Sequence, residues 1–469
     1  EIQGRSRDGG VSTSAAGALS GPNGVTLTSA GAINLLAGVT NATSGQIQVI
    51  AASSLSLSGA ISARAVTLSA NGGAFSTSAG ATITTLDPNG SITLFGKTGV
   101  TLGGNLSNNL GLGTGSISVT SDGALSAPVT LLGRGITLRA NGGALTLGGM
   151  NSVSSQAASL SALGDISATG SIAAAGTLSL TAGGSASLGA VTGSSTVALI
   201  ANGGSLTTSG AVSGSGGVSY QALGSVTMGA TVANSGSGAL SVSAGGAVTV
   251  SGAASGPTVT MSANGGDLTI GASGSISGTN GVTLGTTGNF INNRGASGVQ
   301  SASGRWLIYS TSPTTDTIGS LAFDFIQYAA TYPTDGVGAT APAQGSGNGL
   351  LYSLAPTLSF DLTGTISKTY DGSTTATLAP ANILSTGLVG SDALALTAVY
   401  TTSNAGSNIG VAASGATITN AGKPVYGYAI PVPSVTAYIG TISRKTITAA
   451  IIGNPTKIYN KSTLASVAP

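Results

Sequence analysis

Between residues 25 and 290 the chain returns repeatedly to one short alternation: an apolar residue, Ser or Thr, a second apolar residue, then a small or glycine-rich stretch. "VTLS" at 66–69, "ITLR" at 136–139 and "VTMS" at 259–262 show it plainly. A period of two is the pattern of a β-strand that buries one face and wets the other. Starts fall at Val25, Ile47, Val66, Ile92, Ile117, Ile136, Ala158, Leu178, Val197, Val218, Leu240, Val259 and Val282, 19 to 26 residues apart and clustered near 21. Glu is nearly absent, Lys is sparse, and β-branched Thr and Val are abundant, which disfavours helix. The spacing predicts an all-β solenoid with about 21 residues per turn. About thirteen turns stacked at strand separation make a rod on the order of 60 Å long. A β-propeller blade needs about 40–45 residues, roughly twice what this period offers.

A second phrase recurs at longer intervals. "ANGG" begins at Ala70, Ala140, Ala201 and Ala263, once in every third short repeat. "SRDGGVSTSAAG" from Ser6 falls where the rule places an earlier copy, so the chain opens inside a repeat. Asn-Gly clusters supply left-handed backbone, and the phrase is read as a tight corner built on positive-φ glycine. Asn71, Asn141, Asn202 and Asn264 then lie about 14 Å apart along the rod, too far for a continuous amide ladder. A ligand site at those asparagines is the competing reading.

The pattern fades after "VTLGTTGNFINN" (282–293), and from about Ser301 the composition changes. "GRWLIYSTSPTTDTIGSLAFDFIQYAATYPTDG" holds the single Trp, Trp306, and a concentration of Tyr and Phe. Such a cluster suits a cap over the open apolar end of a solenoid; a sugar-stacking platform is the sharper alternative. "APAQGSGNG" (341–349) reads as a loop or hinge. Further on, "KTYDGST" (368–374) is echoed by "KIYNKST" (457–463) at an offset of 89 residues. A module of that length with alternating strands and Pro/Gly turns suits an immunoglobulin-like β-sandwich. The chain therefore divides into a shaft (1–299), an aromatic junction with a Gly-rich hinge (300–357), a module (358–446) and the start of a second (447–469). Open at both ends, the sequence reads as an excerpt.

Composition removes most chemistry. Among 469 residues there is no Cys and no His, which excludes disulfides, thiolate metal sites, cysteine nucleophiles and the usual neutral-pH base. Charged residues make up 6% and the net charge is +2, so no field favours nucleic acid. No apolar run approaches the roughly 20 residues of a membrane-spanning helix. Paired carboxylates for glycosidic cleavage must lie within about 5–9.5 Å. The solenoid offers only Asp8, Asp87, Asp122, Asp165 and Asp267 besides Glu1. Asp165 and Asp267 occupy similar corners but are five turns, about 24 Å, apart. Calcium-binding nonapeptide repeats need Asp in nearly every turn. The Gly-rich "GLGTGS" (111–116) and "GSGNG" (345–349) lead into no helix. Arg5, Arg7, Arg134 and Arg139 are isolated basic points. No catalytic, cofactor or metal site is expected, and the chain is read as non-enzymatic.

The runs "SGRWLIYST", "FDFIQYAATY" and "GSGNGLLYSLAPTL", followed by "KTYDGSTTATL", resemble filamentous-haemagglutinin-like exoproteins of Gram-negative bacteria, in which a solenoid precedes YDG-type repeats. The resemblance is loose over 1–299 and specific over 303–445. It implies a right-handed parallel β-helix, two-partner secretion through an outer-membrane transporter, and a secreted or cell-surface adhesin that contacts host or neighbouring cells, glycans included. A stalk delivering a toxin and a carbohydrate-active β-helix enzyme are the alternatives. Tyr370, Asp371 and Gly372 form the YDG motif; Asp-Gly is a turn dipeptide, and Tyr370 is expected to pack beside it. The second copy reads Tyr-Asn-Lys (459–461), so a different turn is expected there.

Overall fold

The computed structural model describes residues 2–41, 44–108, 111–332, 342–450, 453 and 456–464. Glu1, part of the aromatic run and of the 341–349 loop, and parts of the second module lie outside the described residues. The chain forms two compact units, residues 1–356 with 420–428 and residues 357–419 with 429–469.

The first unit is a parallel β-solenoid of about 15 turns with about 22 residues per turn. Each turn contributes short strands to three parallel sheets. The first sheet starts with Ile2–Ser6 and Val25–Ser29, the second with Val11–Ser12 and Ile33–Leu35, the third with Leu19–Ser20 and Val39–Thr40. Side chains alternate as the sequence pattern requires: in Val25–Ser29, Val25, Leu27 and Ser29 point inward, and the threonines between them are half-exposed. Valine, leucine and isoleucine fill the interior, and truncating one to Ala costs about 2–5 kcal/mol.

All thirteen predicted starts fall in one vertical register. Val25 pairs with Ile47, Ile47 with Val66, Val66 with Ile92, and so on to Val259 with Val282. The column is longer than the sequence pattern indicated. Ile2 precedes Val25, and Trp306 follows Val282. These two ends account for the difference between thirteen expected turns and about fifteen observed.

The ladder also runs past residue 299. Trp306–Ser310 stacks on Ser275–Thr286, and Gly349–Tyr352 stacks on Trp306–Ser310. Phe325–Gln327 follows, and Lys423–Tyr426 lies beyond it, all parallel. Aromatic side chains fill this end. Tyr309 and Tyr332 meet edge to face with ring centroids 5.5 Å apart, and Tyr328 and Tyr428 do so at 5.1 Å. The loop ahead of Gly349 is tied in: Arg305 donates to Gly345 O (2.9 Å), and the Trp306 amide donates to Asn348 Oδ1 (3.0 Å).

The second unit is a smaller all-β module. Thr375–Ala376, Ala393–Tyr400, Gly406–Asn420 and Ser434–Ser443 pair antiparallel in that order, and Ile366–Thr369 adds parallel to the last. Ser359–Leu362 and Ile383–Thr386 form a separate antiparallel pair. Leu362, Ile366, Tyr400, Val411 and Ile442 make its core.

Candidate functional site

The corner between the first and second sheets is where the recurring phrase sits. In most turns the paired positions across it are four residues apart, as from Ala51 to Leu55, Ala182 to Ala186 and Ala244 to Val248. From Ala70 to Phe75, Ala140 to Leu145, Ala201 to Leu206 and Ala263 to Leu268 they are five apart. Ser6 to Val11, the copy inferred at the start, is also five apart. Every third turn therefore carries one extra corner residue, and "ANGG" is the sequence of that longer corner.

The reason for glycine differs from the expectation. Gly72, Gly142, Gly203 and Gly265 are not among the positive-φ glycines. A Cβ on them would instead lie 2.3, 2.1, 2.3 and 2.2 Å from the carbonyl oxygens of Ala52, Asp122, Gly183 and Gly245 in the turn beneath. Stacking distance, not handedness, demands glycine. Asn71, Asn141 and Asn202 are exposed and Asn264 half-exposed. Their backbone amides carry the stacking, as Asn141 N–H does to Ser121 O at 2.7 Å and Asn202 N–H to Ala182 O at 2.8 Å.

Four of the solenoid aspartates, Asp87, Asp122, Asp165 and Asp267, are engaged within the stack itself. Asp165 Oδ1 accepts the Ser185 amide at 2.7 Å. Ser185, Ser205 and Ser225 then each accept the amide one turn on, at 3.2, 3.1 and 3.2 Å. Asp267 resumes this role, accepting the Asn289 amide at 2.8 Å. Elsewhere Asp87 pairs with Arg64 at 2.7 Å. Asp122 accepts from Lys97 Nζ at 2.8 Å and from the side-chain Nδ2 of Asn141 at 3.2 Å, and the lysine holds its carboxyl below the usual range. Asp316 was not singled out in the sequence. It accepts the Phe290 amide (2.9 Å) and the Ser310 hydroxyl (2.5 Å). Burial pushes its carboxyl up to about 6, with the charge of Asp267 adding to the rise.

Sequence reasoning also passed over the asparagines that are buried. Asn41, Asn108 and Asn234 share one inward position after the third-sheet strand. Their turns have long third corners, eight residues from Val39 to Ile47, eleven from Leu106 to Ile117 and eight from Val232 to Leu240. Where that corner spans five residues, as from Ile61 to Val66, the inward position is Ala63. Each asparagine donates to a carbonyl of its corner loop or the turn beneath, Gly21, Gly90 and Gly238 in turn. Loop length beside an Asn was the signal available.

Trp306 is 3% exposed and continues the inward column, so its ring is not a platform open to solvent. Tyr332 is half-buried over Gly285, where a Cβ would lie 2.3 Å from its ring. Near Trp306 a trough of about 720 Å³ opens beside the third sheet.

In the second unit Lys368 organises the turn. Its Nζ donates to Asp371 Oδ1 (2.8 Å), Ser373 O (2.7 Å) and Ser373 Oγ (2.9 Å), which uses all three ammonium hydrogens. It also lies 5.5 Å from the centroid of the Tyr400 ring. Asp371 Oδ1 accepts the Ser373 amide at 2.9 Å, and Gly372 between them has φ +78°. Lys368 is the first cause holding the Asp371 carboxyl at about 2. Tyr370 contributes through its backbone, donating to Ser443 O at 2.8 Å, while its side chain is 42% exposed rather than packed at the turn. The second copy keeps the turn despite its altered letters. Lys461 stands in the Gly372 position at φ +58°, and Asn460 Oδ1 accepts the Ser462 amide at 3.1 Å. Lys457 Nζ donates to Ser462 O and to Leu464 O, the latter at 2.7 Å.

Residues 355–437 match the YDG domain family. No curated protein and no solved structure matches the chain. The lysine-clamped turn at 368–373 thus lies inside the stretch that carries the YDG domain's sequence pattern.

Proposed function

We propose that this chain is part of a filamentous-haemagglutinin-like adhesin, secreted by a two-partner route and displayed at the cell surface, whose solenoid holds a binding surface away from the cell. The observation that carries this reading is the unbroken register of about 15 parallel turns in a chain with 6% charged residues. Such an array presents the same hydroxyl-rich rungs many times, and weak contacts repeated on one scaffold add through effective concentration. The YDG match over 355–437 supports the exoprotein family. The role is non-enzymatic: Asp87, Asp122, Asp165 and Asp267 are engaged by a cation or by backbone amides. The expected partner is the surface of a host or neighbouring cell.

Beads coated with the purified chain test this. Attachment to epithelial or bacterial cells above that of albumin-coated beads, inhibited by soluble chain, is the expected result. Attachment equal to the albumin control makes the segment a passive spacer and removes the adhesin reading.

A further inference from the structure

Residues 420–428 belong to the first unit, although the chain on either side of them, 357–419 and 429–469, builds the second. They lie inside the stretch that matches the YDG domain family. Ala421 and Gly422, at φ +49° and +78°, make a two-residue turn after Gly406–Asn420 and start the excursion. Lys423–Tyr426 then adds parallel to Phe325–Gln327, with Val425 beside Ile326 and Tyr426 beside Gln327. The Tyr328 amide donates to Tyr426 O at 2.9 Å.

Side chains fasten the same rung. Tyr426 packs against buried Tyr309, Phe325, Ala330 and Leu351, its ring centroid 6.3 Å from that of Phe325. Val425 is buried, and Lys423 Nζ lies 3.7 Å from Asp324 Oδ1. Gly427 has φ +86°, and a Cβ on it would lie 2.2 Å from Tyr328 O. Glycine is therefore required for the bend that brings Tyr428 to the Tyr328 ring, at 5.1 Å.

Phe325–Gln327 has Gly349–Tyr352 on its other side, so without the excursion it is the free edge of a parallel stack. The unpaired backbone groups of such an edge are a template for another chain. The strand carries neither a charge nor a proline of its own to blunt that pairing. The excursion supplies both, in Lys423 and in Pro424, whose missing N–H cannot extend the ladder. We infer that residues 420–428 are the closing strand of the solenoid, and that they keep the Phe325–Gln327 edge from pairing with the same edge of a second copy of this chain. The inference is independent of the adhesin reading.

Two variants of the full chain withdraw the strand by different routes. Gly427→Val acts through the backbone and the contact with Tyr328 O; Tyr426→Asp sets a carboxylate against the aromatic cluster. Amide exchange at Tyr328, read at a concentration where parent and variant sediment as monomers, is expected to rise about tenfold or more. Val411 in the second unit and Leu199 in mid-solenoid should stay protected as in the parent. At higher concentration, sedimentation velocity is expected to show a dimer that the parent lacks. Adding Ile326→Pro removes an N–H on the same side of the strand as that of Tyr328, and should abolish the dimer. Unchanged exchange at Tyr328, faster exchange without a dimer, or a dimer that survives Ile326→Pro overturns the inference. If Tyr426→Asp loses protection at Val411 or Leu199, Gly427→Val alone decides by the same criteria.

Discussion

Lys461 occupies, 89 residues on, the left-handed backbone position that Gly372 holds in the first YDG turn, with φ +58° against +78°. Nothing lies within 4 Å of a Cβ built on Gly372, so the cost of a side chain there is conformational alone. That cost is roughly 1–2 kcal/mol for an ordinary L-residue and less for Asn. Gly372→Ala is therefore expected to destabilise the second unit by about 1 kcal/mol and Gly372→Asn by less. Amide exchange at the core residue Val411, measured in the full chain, reads both. Equal protection in Gly372→Ala and the parent would show that the turn does not need left-handed backbone.

The Lys368–Asp371 clamp sets an acid limit on the same unit. The Asp371 carboxyl is held at about 2 in the fold, below its ordinary 3.8. The folded state thus releases this proton more readily than the unfolded chain. Its contribution is present above about pH 4 and is lost as pH falls towards 2. Asp371→Asn is expected to flatten that part of the stability profile and leave the pH 6–8 plateau level. A titration of Val411 exchange from pH 6 to 2.5 checks it, and an unchanged acid limb in the variant would remove the clamp from the account.

At the long corners the two halves of "ANGG" separate cleanly. Gly142→Ala places a Cβ 2.1 Å from Asp122 O, and the adjacent turns must part to admit it. A loss above about 2 kcal/mol is expected, in the range of overpacked interiors. Asn202→Ala touches only an exposed side chain and should stay within about 0.5 kcal/mol. Thermal unfolding of the two variants decides between a corner requirement and a ligand role for the asparagines. A neutral Gly142→Ala would refute the stacking argument.

These residues also show what could be read in advance. The column from Val25 to Val282 was legible because each of its positions is apolar and is followed by strict alternation with outward residues. Trp306 belongs to the same column but sits in a stretch whose composition looks foreign, so the last turn was read as a junction. The recurrence of "ANGG" was visible, yet its cause was not: a clash with a carbonyl about 20 residues earlier is a property of stacking. Asn41, Asn108 and Asn234 were hidden for the same reason, since the loops they satisfy gain meaning only once register sets corner length. In the YDG turn the letters Asn-Lys suggested a different geometry. The side-chain acceptor at Asn460 and a left-handed Lys461 reproduce it.

Asp316 gives the solenoid's aromatic end a pH dependence of opposite sign. Its carboxyl is pushed up to about 6, chiefly by burial, and Asp267 is the like charge that adds to the shift. Between about pH 4 and 6 the folded state holds a proton that the unfolded chain has released, so stability falls as pH rises through that window. The shift of about two pH units corresponds to on the order of 2–3 kcal/mol, fully lost above about pH 7. Asp316→Asn keeps an oxygen for the Phe290 amide, presents its NH₂ group to the Ser310 hydroxyl and carries no charge. The variant should match the parent near pH 4 and exceed it at pH 7.5. Amide exchange at Phe290, followed in both proteins at the two pH values, is the direct measurement. Slower exchange in the variant at pH 7.5 alone is the expected outcome; identical exchange at both pH values would mean that Asp316 stays ionised without cost and that burial at this corner is relieved by solvent.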